Sequence, residues 1–330
     1  MGACDRVLVH VAAKQEAPTS PLCRKATGML TSLSIIATFN QLTSVPDGYM
    51  SGPVMVLALG ILGLGIGVMT GLFGVGGGFL VVPLLTLAFG LDYPLAIGSS
   101  LCFVAGTSAG GMVSHARRKN VEFKTTFILA AGSIVGAPLG KMFLVYLEEL
   151  AGQMFTSAMD ILFIALLIVV AILVIRRPPV SRSRTLLQRL PIGPHIDLPQ
   201  ANRSHVSLPG MCVLGLAAGF LTGIFGIGGG VILVPLLMVL VGQGVHLAIG
   251  TSLGIVLLSS MSGTVVYGLS GKVSLVIAMA LLLGSAVGVQ VGSVMNARID
   301  PAPMRRYFAV LVVITAASLA VRLAWSLVTS

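Results

Sequence analysis

The stretch Thr70-Gly71-Leu72-Phe73-Gly74-Val75-Gly76-Gly77-Gly78-Phe79-Leu80-Val81-Val82-Pro83-Leu84-Leu85 returns as Thr222-Gly223-Ile224-Phe225-Gly226-Ile227-Gly228-Gly229-Gly230-Val231-Ile232-Leu233-Val234-Pro235-Leu236-Leu237. The offset, 222 − 70 = 152 residues, holds without a gap to Gly140 and Gly292. Identity across that window is roughly 40%, which marks an internal duplication. Each copy sets a glycine cluster inside an apolar run and follows it with a proline, the composition of a helix interrupted at membrane depth. Interrupted backbone exposes N–H and C=O groups, which hydrocarbon tolerates only where they are buried in protein or line a watery cavity. The paired interruptions therefore point to a binding site.

Composition excludes a soluble domain: 56% of the 330 residues are apolar, 9% are charged, and the mean hydropathy is +1.02. Apolar runs of about 18 residues or more recur, each long enough to cross a bilayer. The net charge of +10 does not indicate nucleic acid, because the basic residues sit in short clusters between apolar runs, where they act as topology signals. Cys4, Cys23, Cys102 and Cys212 show no C-x-x-C spacing and build neither a disulfide framework nor a metal site.

Four segments follow. Residues 1–52 form an N-terminal extension whose stretch Thr27–Val45 reads as a weak extra span, a targeting segment or a plain extension. Residues 53–175 form a first transmembrane repeat. Its run Pro53–Phe89 would make a helix of about 55 Å against a hydrocarbon core of about 30 Å, so it breaks, and Gly74–Gly78 is where it can. Further spans follow over Ala96–Val113, Thr125–Leu147 and Phe155–Ile175. Residues 176–208, rich in arginine and proline, read as a flexible or loosely extended cytoplasmic linker. Residues 209–330 repeat the plan: a run broken at Gly226–Gly230, then Leu247–Leu269, Val273–Met295 and Tyr307–Val328.

Positive charges place the loop at 115–124 in the cytoplasm, and Arg298, Arg305 and Arg306 outweigh the single Lys272 in the second half. Corresponding spans then run in opposite directions. The expected fold is an all-α polytopic membrane protein of two homologous halves, arranged as inverted repeats, each with a glycine-broken helix. A parallel duplication is the alternative. In inverted-repeat transporters the substrate site lies near the midplane, where the repeats meet.

The glycine stretches, each followed by an AIGxS segment (Ala96-Ile97-Gly98-Ser99-Ser100 and Ala248-Ile249-Gly250-Thr251-Ser252), resemble the TauE/SafE sulfite exporter family, also called the 4-toluene sulfonate uptake permease family. The resemblance covers about Pro53 to Val328 and leaves out the N-terminal extension and the linker. It implies a multi-pass protein of the plasma membrane that moves sulfur-containing anions such as sulfite, sulfoacetate or other organosulfonates. Direction and substrate differ among members.

A small oxyanion needs hydrogen-bond donors and positive potential, and charged side chains at the midplane are costly. Amides at the start of half-helices supply both without a charged side chain. The candidate substrate-binding residues are accordingly Gly74, Gly76, Gly77, Gly78, Gly226, Gly228, Gly229 and Gly230, together with Ser99, Ser100, Thr251 and Ser252. The bland reading of the glycines is close helix packing. Three in a row, a proline beyond them and a duplicate favour the substrate pathway. For the hydroxyls, donation to an anion and helix capping both stay open. Lys141 is a candidate for anion attraction, with snorkelling to the interface as its commoner role.

No P-loop spacing exists, no metal ligands cluster, and no cofactor is called for. No carboxylate sits mid-span, and Asp160 lies near a helix start, which disfavours a built-in acidic proton relay. An intramembrane enzyme would need paired polar groups within spans, and none is seen. The reading is therefore a secondary transporter of small sulfur-containing or organic anions, not an enzyme, with the lipid bilayer and a small anionic substrate as partners and homo-oligomer formation left open. A non-transporting membrane scaffold or regulatory protein is the alternative.

Overall fold

The computed structural model describes residues 52–175, 195–198, 203–298 and 301–329. The stretch Thr27–Val45 and linker residues 176–194 and 199–202 lie outside the described residues. The first half forms α1 (Gly52–Phe73), α2 (Gly78–Ala88), α3 (Tyr93–Arg117), α4 (Phe123–Ala151) and α5 (Phe155–Ile175). The strands β1 (His195–Leu198) and β2 (Arg203–Ser207) follow. The second half forms α6 (Leu208–Phe225), α7 (Gly230–Leu236, prolonged by a π-turn over Leu237–Val241), α8 (Val245–Gly268), α9 (Leu275–Asn296) and α10 (Pro301–Thr329).

Among the described residues seven helical stretches are long and apolar enough to cross a membrane. One of them, Phe123–Val174, runs 52 residues and is interrupted at Gly152–Met154, where Gly152 has φ +49°. A rod of that length would measure about 78 Å, far beyond a core of about 30 Å, so α4 and α5 are separate crossings. The chain is a multi-pass, all-α membrane protein in which both glycine stretches break a helix.

Glycines four residues apart line α1 (Gly63, Gly67, Gly71) and α9 (Gly284, Gly288, Gly292), and their counterparts line α6 (Gly215, Gly219, Gly223) and α4 (Gly132, Gly136, Gly140). There the backbones touch. A Cβ at Gly63 would stand 2.0 Å from the Leu281 carbonyl oxygen and one at Gly288 2.2 Å from that of Leu64; for Gly215 and Leu129 the distance is 2.1 Å. Lipid offers apolar groups as good a home as protein does, so helices associate by such close van der Waals approach. α1 thus packs on α9, and α6 on α4. Each opening helix finds its main partner in the other half.

The contacts also give directions. Gly284 meets Gly60 and Gly71 meets Gly292, so α1 and α9 run parallel. α3 and α8, which correspond at the 152-residue offset, run antiparallel: Leu101 packs on Gly263 and Leu253 on Gly111. The start of α3 accordingly lies by the end of α8, with Gly98 against the Lys272 carbonyl, and its end lies by the start of α8, with Asn120 and His115 against Gly250. Arg117, Arg118, Lys119, Lys124 and Arg298 gather at one end of the bundle; Asp92, Glu148, Glu149 and Lys272 gather at the other.

The linker departs in part from the loosely extended reading. β1 and β2 pair antiparallel, with Ile196 opposite Val206 and an irregularity between Ile196 and Leu198. Alternation of Ile196, Leu198 and Val206 with polar neighbours is the period-two pattern of a strand.

The glycine seams predict a contrast. A Cβ at Gly136 would lie 2.2 Å from the Leu216 carbonyl oxygen, whereas one at Gly65 meets nothing within 4 Å. Gly136→Ala should lower stability in a detergent melt by about 1–3 kcal/mol through overpacking, and Gly65→Ala should not. Equal melting of the two variants would count against backbone-to-backbone packing.

Candidate functional site

α1 and α6 each end in a turn that only glycine makes without strain. Gly74, Gly76 and Gly77 have φ of +68°, +75° and +80°, and Gly226, Gly228 and Gly229 have +67°, +72° and +75°, all in the left-handed region. The last helical bond before each turn is Gly74 N–H to Thr70 O at 2.8 Å and Gly226 N–H to Thr222 O at 2.9 Å. The first after it is Leu80 N–H to Gly77 O at 3.0 Å and Ile232 N–H to Gly229 O at 3.1 Å. Between them the amides of Val75 to Phe79 and of Ile227 to Val231 find no acceptor among the described residues.

The two turns meet. A Cβ at Gly78 would stand 2.5 Å from the Gly226 carbonyl oxygen, and one at Gly230 2.4 Å from that of Val75. Both turns rest on the middle of α3 and α8. Val104 and Val256, counterparts in the repeat, reach them together: their Cγ1 atoms are 2.9 Å from a Cβ built at Gly76 and 2.6 and 2.7 Å from one at Gly228. Not even a methyl group fits there, so the turns are closed over in this conformation.

The predicted hydroxyls tie one half to the other. Ser100 donates to the Gly226 carbonyl at 2.9 Å, and Ser252 lies 2.7 Å from the Gly74 carbonyl. Ser99 accepts from the Ser274 N–H at 2.9 Å, and Thr251 accepts from the Glu122 N–H at 3.0 Å. Ser274 and Glu122 are the residues from which α9 and α4 start. Of the two roles open in the sequence, Ser99 and Thr251 hold the capping one here, across the halves instead of within a helix. A hydroxyl has one proton, and Ser100 and Ser252 have theirs engaged by carbonyls.

A second pair of serines was not singled out by sequence. Ser108 and Ser260 are fully buried, and neither hydroxyl has a hydrogen-bond partner. Their oxygens lie 3.2 and 2.9 Å from Cβ positions built at Gly76 and Gly228. Beside them Ser259 is likewise unpartnered, and the Thr107 hydroxyl lies 3.2 Å from the Gly76 carbonyl. The signal for them was present: Ser108 and Ser260 stand 152 residues apart, inside the duplicated window.

Lys141 lies away from the turns' centre. Its Nζ donates to the Val266 carbonyl at 2.8 Å, bonds the Ser270 hydroxyl, and sits 5.3 Å from the ring centroid of Tyr267. Carbonyls at a helix C-terminus favour a cation, and α8 ends there. The Tyr267 hydroxyl donates to the Gly223 carbonyl at 2.7 Å. The repeat answers at the opposite end with His115, whose Nε2 is 3.5 Å from the Gly71 carbonyl, and with Arg118, which bonds the Ser293 carbonyl. Among the described residues no three His, Cys, Asp or Glu side chains are grouped to hold a metal.

The arrangement is that of a multi-pass membrane protein of two interlocked halves, with a broken helix in each meeting its counterpart on the crossing of α3 and α8. The chain belongs to the family described as Sulfite exporter TauE/SafE, which matches residues 26–319. That match is wider than the motifs alone marked out, for it takes in Thr27–Val45 and the linker. The chain is 30% identical over 212 residues to a probable membrane transporter protein of Methanocaldococcus jannaschii, covering 62% of this chain and 69% of that one. It is 28% identical over 201 residues to the probable membrane transporter protein YdhB of Bacillus subtilis, covering 61% and 74%. YunE of the same organism, also named a probable membrane transporter protein, is 29% identical over 213 residues, covering 62% and 75%. No solved structure matches the chain at a significant level.

Because the Thr251 hydroxyl accepts the first amide of the opposite half's helix, Thr251→Val should lower thermal stability by about 1–3 kcal/mol through the unpaired buried amide. Thr251→Ser should restore it. Unchanged melting of the valine variant would remove the tie from the account.

Proposed function

We propose that this protein is a secondary transporter of small sulfur-containing oxyanions, sulfite or organosulfonates, and that the two glycine turns form the anion site. The observation that carries the reading is the meeting of two sets of unpaired amides with the unpartnered hydroxyls of Ser108 and Ser260 at the centre of the bundle. Left-handed glycine turns that leave successive N–H groups free are anion-binding concavities, and the helices beginning at Gly78 and Gly230 add their positive dipole ends. The names of the family and of the relatives support transport. Gly76, Gly77, Gly78, Gly228, Gly229 and Gly230 supply backbone donors, whereas the Gly74 and Gly226 amides close the helices ahead of the turns and these two residues shape the turns instead. Ser100 and Ser252 hold the turns in place, and Lys141 with Arg118 gives each mouth one cation.

The halves are inverted in the membrane on this reading, supported by the antiparallel run of α3 and α8 and by the gathering of cations at the end that carries Arg118 and Arg298. That end faces the cytoplasm of a plasma-membrane protein. Val104 and Val256 cover the turns, so the anion enters when α3 and α8 shift, as alternating access requires.

The reading is tested by uptake into proteoliposomes holding the full chain, screening sulfite, sulfate, thiosulfate, sulfoacetate and simple carboxylates. Sulfite or a sulfonate should be carried and carboxylates less so; absence of flux for every anion would favour a scaffold. Gly77→Val and Gly229→Val should each abolish flux, since a β-branched residue resists left-handed φ. Ser108→Ala and Ser260→Ala should each raise the half-saturation concentration by an amount worth about 1.5–3 kcal/mol, the range for a hydrogen bond to a charged group. Wild-type kinetics in all four variants would move the site elsewhere.

For topology, Lys272→Cys should react with an impermeant thiol reagent from outside, and Arg298→Cys only after permeabilisation. The same accessibility at both positions would leave a parallel arrangement.

A further inference from the structure

Asp160 carries the reading beyond anion binding. It is the sixth residue of α5 and is 2% exposed, although the sequence alone put it at a favourable helix start. The Tyr93 hydroxyl, from the first residue of α3, donates to its Oδ1. Arg322 of α10 brings Nε to 3.7 Å from Oδ2, too long for a hydrogen bond, and lies 6.0 Å from the Tyr93 ring centroid. The Arg322 Nη1 atom is buried and has no partner. Tyr93 and Arg322 are the titratable groups that act on Asp160 from the elements packed around it.

Replacing a buried ion pair by well-packed apolar residues is often neutral or stabilising, so stability alone does not call for a charged joint here. An ionisable group inside a membrane is by default a functional one.

We propose that Asp160 is the proton-binding site that couples anion transport to a proton gradient, an inference that rests on the transport reading above. The cluster lies at the end of the bundle that carries Asp92 and Lys272, opposite the arginine-rich end. With Asp160 ionised, its charge balances Arg322. When Oδ2 takes a proton from the water on that side, the Arg322 charge is left uncompensated, and an anion entering nearby restores neutrality. Proton and anion thus favour each other's binding, and the proton leaves when the anion does. The link to the turn is short: Phe163, one helical turn after Asp160, meets Phe225 edge to face at 5.3 Å, and Phe225 adjoins Gly226.

Two measurements test this. Infrared difference spectra of the purified full chain, stepped from mildly alkaline to mildly acidic buffer, should show a protonated-carboxyl C=O stretch that Asp160→Asn removes and Glu122→Gln leaves. Sulfoacetate, fully ionised over that range, serves as the transport probe: outside acid should speed its uptake about 5-fold or more, the lower end of usual coupling factors, whereas Asp160→Asn should keep sulfoacetate exchange and lose the response. Should that variant not fold, the triple variant Tyr93→Val/Asp160→Val/Arg322→Val, which replaces the whole cluster by apolar residues, takes its place with the same expectation. A carboxyl band that survives removal of Asp160, or acid-stimulated uptake that does, would overturn the proposal. An Asp160 band in a protein with no anion flux would overturn the transport reading and leave the proton site standing.

Discussion

Backbone N–H and C=O groups must be paired or kept from lipid inside a bilayer, and the organisation of this chain follows from meeting that rule at two places where helices are broken. The turns at Gly74–Gly78 and Gly226–Gly230 leave successive amides without acceptors. They lie against each other, with α3 and α8 behind them and the glycine seams of α1 on α9 and α6 on α4 drawing the flanking helices in to backbone contact. Ser100 and Ser252 engage the carbonyl just ahead of the opposite turn. Thus the groups that cannot be paired locally are sheltered by the other half.

Much of this was legible in the sequence, and for stated reasons. A fixed 152-residue offset, apolar runs of spanning length and glycine clusters located the breaks, the crossings and the duplication. The same offset could have found Ser108 with Ser260 and Val104 with Val256. What was not legible is which hydroxyl faces which half: for Ser99 and Thr251 the sequence left anion donation and helix capping both open, and the structure has them accept the amides of Ser274 and Glu122, where α9 and α4 start, across the interface. Asp160 shows the same limit. A helix start near the membrane edge is solvated only if no neighbour covers it, and Tyr93 and Arg322 come from segments far away in the chain.

The duplication is close but not strict, and some of its departures fall on polar positions. Tyr267 and His115 take equivalent places against the Gly223 and Gly71 carbonyls. Lys141 bonds Ser270 at one end, whereas at the other the cation and serine exchange places as Arg118 and Ser293. A transporter that were truly symmetric would have equal energies facing either side. Substituting polar groups at matched positions is how two interlocked copies can favour one orientation while keeping common packing.

The interlocking also bears on how the molecule is made. Each half lacks the seam partner of its own opening helix: the Leu72 carbonyl at the end of α1 is met by Asn296, 224 residues further along. At a synthesis rate of about 5–20 residues per second that wait is roughly 10–45 s. Through this interval the glycine face of α1 is in the bilayer without its mate, and a ribosome that stalls after α5 leaves a product with an open seam. Such a nascent chain is a natural client for membrane insertases and quality-control proteases, and a half-length gene product could complete itself only by trading helices with a second copy.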